Sequence, residues 1–234
     1  MAIELVVFDI AGTTVDDGDA VNRCLRAALT GAGLAVSHSA ANAVMGLPKP
    51  VAIRTLIERS AEHQALLTKV EAIHSDFVAR MLRFYAEDPA VVEVPGASET
   101  FATLRRAGIK VALDTGFSRA IAARILARLG WDQGGVIDAT VTSDEVARGR
   151  PHPDMIQRLM AAVGVCESHT VAKVGDTPVD LEEGTNAGCG RVIGVTRGTH
   201  TRAQLLAYPH TDLIETVADL PRLFGLDPAK GGMS

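Results

Sequence analysis

The residues of this 234-residue chain that could do chemistry stand at the ends of short apolar runs. Asp9 follows Leu5-Val6-Val7-Phe8, Thr115-Gly116 follows Val111-Ala112-Leu113, and Gly175-Asp176 follows Val171-Ala172-Lys173-Val174, with Asp180 close behind. A cation, Arg150, lies in Gly149-Arg150-Pro151-His152-Pro153. Three carboxylates and a cation converging on one edge suit Mg²⁺, which takes oxygen ligands from one or two carboxylates, phosphate and water. The hydroxyl and amides of Thr115-Gly116 can hold phosphate oxygens at a helix start. An aspartate in such a site can attack phosphorus and carry it as an aspartyl-phosphate. Taken singly, an Asp ending a strand is usually a cap or turn former. The ordered set, each member after an apolar strand, is what carries the chemistry.

Positioning these residues requires a parallel sheet. Apolar, β-branched runs at residues 3–8, 110–113, 136–141, 170–174 and 191–195 read as buried strands. Helical patterns at 97–107, 118–129, 153–163 and 179–187 separate them, and this alternation implies an α/β, Rossmann-like sheet with helices on both faces. Ligands on such sheets bind at the carboxyl ends of the strands, beside the switch in strand order. Between the first strand and the rest, from about residue 19 to 87, the spacing becomes helical throughout. Val21, Leu25, Ala28 and Leu29 suit one amphipathic helix, and Ile53, Leu56 and Ile57 a second. Leu66, Val70, Ile73, Phe77 and Met81 make a third apolar stripe. The expected organisation is a core of residues 1–15 and 95–234 interrupted by an all-helical cap of residues 16–94. The Gly231-Gly232-Met233-Ser234 tail is expected to fray.

Composition narrows the class. Hydrophobic residues are 47% and charged residues 22%, an ordinary globular balance that excludes a mainly disordered chain. Twenty-three Lys and Arg stand against 28 Asp and Glu, a net charge of −5 without a basic cluster, which argues against nucleic acid or an anionic membrane as partner. A substrate anion must then be held by a few placed cations and amides. No apolar run is long enough to span a membrane, and Glu4 stands where a signal peptide needs basic residues. Cys24, Cys166 and Cys189 are scattered, without metal or disulfide spacing, and read as small packing residues. A cytoplasmic protein acting on a small organophosphorus compound is the expectation.

The ordered set Asp9-x-Ala11-Gly12-Thr13, Asp114-Thr115-Gly116, Arg150, Gly175-Asp176-Thr177-x-x-Asp180 resembles the haloacid dehalogenase superfamily of phosphotransferases along essentially the whole chain. The resemblance implies that Asp9 is the nucleophile and a Mg²⁺ ligand, with the Ala11 carbonyl as a second ligand. It further implies that Thr115 and Gly116 bind the phosphoryl group, that Arg150 is its cationic clamp, and that Asp176 and Asp180 hold the metal directly or through water. A cap inserted between the first two motifs is that family's commonest elaboration.

One departure sharpens the chemistry. Most phosphatases of the family carry a second Asp two residues after the nucleophile to protonate the leaving group, and this chain has Ala11 there. Loss of a general acid costs about 10² to 10⁴ in rate, unless the leaving group needs none. Asp-x-Ala-Gly-Thr-Thr, together with Met45-Gly46-Leu47-Pro48-Lys49, Thr115-Gly116-Phe117 and Gly149-Arg150-Pro151-His152-Pro153, resembles the phosphonoacetaldehyde hydrolase branch. In that branch the cap lysine forms a Schiff base with the substrate aldehyde, which maps to Lys49, with Met45 and Gly46 beside the substrate. Such a lysine must react as the neutral amine, so a lowered pKa is expected. Three places depart from the branch: Ala52 where it has His, Phe117 where it has an aromatic hydroxyl, and Asp16-Asp17-Gly18-Asp19 where it has Tyr and Cys at the last two variable places. The alternatives are a small-molecule phosphatase, a dehalogenase, which the retained Asp176 and Asp180 disfavour, and a silent binding protein.

Other residues carry weaker signals. Lys173 could approach Asp9 or Asp176, or reach solvent. Asp114 is an unusual charge for a buried strand and could cap the next helix or meet Arg150. His152 reads as a loop residue. The stripe from Leu66 to Met81 could pack internally or pair two subunits, and the branch resemblance favours a homodimer through the cap.

Overall fold

The structure, a computed structural model, describes residues 2–226, so the Gly231–Ser234 tail lies outside the described residues. Eight strands form in chain order: β1 (Leu5–Asp9), β2 (Val15–Asp16), β3 (Val92–Glu93), β4 (Lys110–Thr115), β5 (Ala139–Thr142), β6 (Val171–Gly175), β7 (Arg191–Val195) and β8 (Asp212–Ile214). Six of them make one parallel sheet in the order β5-β4-β1-β6-β7-β8. Strand order reverses at β1, which has β4 on one side and β6 on the other, so the carboxyl end of β1 is where a ligand crevice belongs.

Strand alternation then sorts the side chains. Val6 and Phe8 join one apolar cluster with Val111, Leu113 and Val174, while Leu5 and Val7 join another with Ala112 and Val171. The first face is covered by α5 (Ala97–Arg106) and α6 (Arg119–Leu129), and the second by α7 (Asp154–Val163). α8 (Pro178–Asn186) packs on β6 and β7. Asp9 is in register with Asp114, and Val7 with Lys173, so these three polar side chains share the second face.

The chain between β1 and β4 carries α1 (Ala20–Gly31), α2 (His38–Asn42), α3 (Lys49–Glu58) and α4 (Val70–Glu87), the last two joined by a 3₁₀ segment, Ala61–Lys69. The expected stripe is real: Leu66, Val70, Ile73, Phe77 and Met81 are all buried, and Tyr85 extends it. It packs within the chain, in one apolar cluster continuous with Phe101, Ile121 and Ile125 of the sheet's first face. The stripe is therefore covered within the chain.

Several expectations need adjustment. The insertion is entered and left through a two-stranded antiparallel ribbon, β2 with β3, in which Val15 pairs with Glu93. Two-residue strands leave no periodicity to read. β8 was not expected for the same reason, being three residues beside the edge of β7. β5 starts at Ala139 instead of residue 136. Cys166 is exposed, not packed. No helix among the described residues is long and apolar enough to cross a membrane.

The insertion meets the sheet edge through the Met45–Pro48 turn. Gly46 has φ +80°, and a Cβ there would collide with the side chains of Thr177 and Val179. A Cβ on Gly116 would lie 2.8 Å from the Gly46 carbonyl oxygen and 2.9 Å from that of Leu47. The two glycines let backbone meet backbone, and this contact sets where α3 begins. Overpacking at such a contact costs about 1–3 kcal/mol, so Gly116→Ala should raise labelling of Lys49 by amine-reactive reagents roughly tenfold. Exposed Lys110 serves as the unchanged reference, with both sites read by peptide mass spectrometry.

Candidate active site

A cavity of about 580 Å³ opens at the carboxyl end of β1, and Asp9, Ala11, Met45, Gly46, Lys49, Thr115, Gly116, Phe117 and Arg150 all line it. Asp176 and Asp180 lie next to Asp9, each with a carboxylate oxygen within 4.8 Å of one from Asp9. The structure thus brings together every residue singled out in the sequence as catalytic, phosphoryl-binding or metal-ligating.

Local structure explains the placement. β1 ends at Asp9, and the next turn is tied back by the Thr14 hydroxyl, which donates to the Asp9 carbonyl at 2.9 Å. Asp176 follows β6, with one oxygen accepting from the Thr13 hydroxyl at 2.9 Å and the other from the Thr199 amide at 2.6 Å. Asp180 closes a capping box at the start of α8: its Oδ2 accepts from the Thr177 amide at 3.1 Å and from the Thr177 hydroxyl at 2.5 Å. Thr115 ends β4, and its hydroxyl accepts from the Phe117 amide at 3.2 Å. α6 begins only at Arg119, so Thr115-Gly116 forms a turn ahead of the helix and not its first turn.

Beneath the cavity lies a charge network that includes the Asp114–Arg150 contact suggested by the sequence and turns Lys173 inward. Arg150, buried, donates from Nη1 to Asp9 at 2.6 Å, from Nε to Glu183 at 3.0 Å and from Nη2 to the Asp114 carbonyl at 3.0 Å and to its carboxylate. Lys173 is fully buried against Asp114, with Nζ 3.2 Å from Asp180 and 3.0 Å from Glu183. The solvent-reaching reading of Lys173 fails because its position shares a face with Asp9 and α8 covers it. Arg150 is not the free phosphoryl clamp expected, since most of its donors serve carboxylates. Its Nη1 is on Asp9, and the residue lines the cavity. Glu183 was overlooked, although a signal existed: it lies three residues after Asp180 in α8 and so on the same helix face. His152 is exposed and stands apart from the cavity.

Five buried carboxyl groups (Asp9, Asp114, Asp176, Asp180, Glu183) share two buried cations, Arg150 and Lys173. The excess of acid shows in the proton affinities. Burial pushes Asp9 up to about 7, with Asp180 and Asp176 adding to the effect and Arg150 opposing it. Burial and the Asp180 charge push Asp176 up to about 6. Asp114, although buried, is held below the usual carboxylate range by Arg150 and Lys173. Asp180 Oδ1 is 2.9 Å from Arg150 Nη1 and 3.2 Å from Lys173 Nζ, yet neither N–H is aimed at it, so this buried oxygen has no hydrogen bond. Two carboxyls with raised proton affinity, a third within 4.8 Å and all-oxygen donors fit a hard divalent cation. Asp9, Asp176, Asp180 and the Ala11 carbonyl would hold it.

Lys49 is the first residue of α3, after Pro48, and is only 4% exposed. Its Nζ donates to the Leu47 carbonyl at 3.3 Å and sits 5.3 Å from the centre of the Phe117 ring. Burial lowers its pKa to about 8, with Arg150 adding to the effect while Asp9 and Asp17 oppose it. The positive end of α3 acts in the same direction.

The fold and this constellation are those of a hydrolase with a cluster of buried carboxyl groups at the strand ends of a parallel sheet. Consistent with this, the sequence profile of the haloacid dehalogenase-like hydrolases matches residues 6–195, and the chain belongs to that family. Its sheet is the family's Rossmann-like core. Among curated relatives, a phosphonoacetaldehyde hydrolase from Bordetella avium is 32% identical, covering 94% of this chain and 89% of its own. One from Bacillus cereus is 33% identical, covering 85% and 78%. The crystal structure of a phosphonoacetaldehyde hydrolase-like protein from Oleispira antarctica superposes with a TM-score of 0.85 at 25% identity, covering 96% of this chain and 92% of that one.

Metal and pH are linked through the acidic floor. Asp9 binds its proton more tightly in the fold, at about 7, than at its ordinary 3.8, so the metal-free chain must lose stability as pH rises between those values. Mg²⁺ binding should release protons in that window and raise the melting temperature more at pH 8 than at pH 5. Calorimetry in buffers of different ionisation enthalpy reads the protons. Lys173→Met, which leaves three carboxylates short of a partner, should cost about 3–5 kcal/mol in urea unfolding.

Proposed function

We propose that this protein is a Mg²⁺-dependent hydrolase of the C–P bond in phosphonoacetaldehyde or a related phosphono-aldehyde, working through a Lys49 imine and an Asp9 aspartyl-phosphate. The observation that carries the reading is the burial of Lys49 in the cavity lined by Asp9, beside Ala11 where a general acid would stand. The names of the relatives point the same way. In this reading the helical insertion acts as a cap that brings Lys49 to the core.

A C–P bond resists cleavage because the departing carbanion is unstable. Neutral Lys49 adds to the aldehyde carbon, and loss of water leaves a protonated imine beside the C–P bond. Asp9 Oδ then attacks phosphorus. The C–P electrons move into a C–C double bond, the C=N electrons settle on nitrogen as an enamine, and no proton is needed at position 11. Water attacks the phosphorus of the aspartyl-phosphate, releasing inorganic phosphate and restoring Asp9. The enamine takes a proton on carbon, and water frees acetaldehyde and Lys49. Thr115 and the amides of its turn bind phosphonate oxygens, while Arg150 holds Asp9 by one oxygen and leaves the other to attack. The divalent ion supplies Lewis-acid stabilisation of the phosphonate oxygens.

The decisive assay is phosphate release from phosphonoacetaldehyde with Mg²⁺, with simple phosphate esters as controls. Because losing a residue of the covalent machinery can cost up to about 10⁶ in turnover, Lys49→Arg should lose at least about 10³. Release that ignores this substitution, or ester hydrolysis alone, would make the protein a phosphatase instead. Inactivation by amine-directed reagents should accelerate as pH passes about 8, where Lys49 becomes neutral.

A further inference from the structure

The carbonyl half of the cavity has lost polar groups at Ala52 and Phe117, both buried. The third departure from the branch pattern puts one back. Asp17 lines the same cavity as Lys49 and Phe117 and is 7% exposed. Its Oδ2 accepts from the Tyr85 hydroxyl at 2.8 Å, and its Oδ1 accepts from the Ala20 amide at 3.2 Å. Tyr85 ends the buried stripe of α4 and meets Phe117 edge-on, with ring centroids 6.2 Å apart. The hydroxyl absent from Phe117 is thus supplied one ring further out, where it orients a carboxyl. Asp17 is near enough to Lys49 for its charge to act on the amine. Burial is the strongest influence on the Asp17 carboxyl and raises its proton affinity; Asp19 and Asp16 add to this, while Tyr85 and the Ala20 amide oppose it.

We propose that Asp17, positioned by Tyr85, is the acid and base that serves the substrate carbonyl oxygen as the Lys49 imine forms and hydrolyses. The proposal rests on the imine reading above. In the forward step, the Lys49 nitrogen bonds the aldehyde carbon and one of its two protons passes to the oxygen. The Asp17 carboxyl donates a second proton, the C–O bond breaks, and the oxygen leaves as water. Nitrogen keeps one proton and forms the C=N bond, so that a cationic imine faces an Asp17 carboxylate. In the return step, water adds to the imine carbon and Asp17 takes a proton from it. The carbinolamine then collapses to free aldehyde and neutral Lys49. The carboxyl acts on oxygen at the carbonyl end and leaves the phosphorus end to Asp9, which is why its presence is compatible with Ala11.

The test is reductive trapping with phosphonoacetaldehyde as probe: borohydride fixes the imine, and peptide mass spectrometry follows the increment on Lys49 with time. Wild type should label at Lys49. Asp17→Asn is isosteric, and its amide oxygen can still accept from the Ala20 amide while its NH2 group donates to the Tyr85 hydroxyl, yet it should label about 10²-fold more slowly and lose kcat in proportion. Its KM should stay within about threefold. Tyr85→Phe should slow labelling about tenfold, the scale of one hydrogen bond to an ionisable group. The double variant should be no slower than Asp17→Asn, because Tyr85 acts through Asp17. Wild-type labelling matched by Asp17→Asn would overturn the proposal and leave the imine reading standing. No labelling at Lys49 in wild type would overturn both. Should Asp17→Asn fail to fold, labelling of Tyr85→Phe at the wild-type rate would equally sink the Asp17 role.

Discussion

A buried guanidinium with carboxylates on three sides holds the working edge of this sheet together. Arg150 reaches Asp9 of β1, Asp114 of β4 and Asp180 and Glu183 of α8, so three separate elements share one cation. Lys173 repeats the arrangement one pleat lower. Buried charges are tolerated only when paired and hydrogen-bonded, and this web satisfies most of them while leaving an excess of acid. That excess shows as raised proton affinity at Asp9, Asp176 and Glu183, and of these Asp9 lines the cavity. The same electrostatics therefore orient Asp9, keep one of its oxygens occupied and leave a set of carboxyls suited to a divalent cation.

The second constraint is steric. Without side chains at Gly46 and Gly116, the turn of the insertion comes to within backbone contact of the turn after β4. α3 starts three residues after Gly46, so the contact delivers Lys49 into the cavity at a fixed point. Burial there removes the water that would stabilise an ammonium, which is the main reason the amine holds its proton less tightly than an exposed lysine. The apolar stripe of α4 supports the arrangement from behind, since it packs on α6 and ends with Tyr85 holding Asp17. The cavity thus has an ionic floor and an apolar wall carrying two placed groups, Lys49 and Asp17.

Much of the fold was legible because burial on both faces of a parallel sheet demands continuous β-branched runs, and these stand out at β1, β4, β6 and β7. The catalytic set was legible because strand ends are chemically distinctive. What escaped detection was short or paired over long range. The β2–β3 ribbon and β8 have too few residues for a pattern. Glu183 looks like an ordinary helix charge, and Lys173 could point either way, until α8 is laid across β6. Asp17 was visible only as a departure, since its partner Tyr85 lies 68 residues away.

By itself, then, the sequence determined the class of sheet, the order of its strand-end residues, the helical nature of the insertion and the absence of a general acid at Ala11. Each is a local property: hydrophobic period, residue type or spacing along one segment. Only the tertiary structure decided that Lys49 is buried beside Asp9 and not on the surface, that Arg150 is bound to four acids, and that the stripe of the insertion faces inward. These depend on which distant surfaces meet, and burial sets the charge state, hence the chemistry, of every group involved.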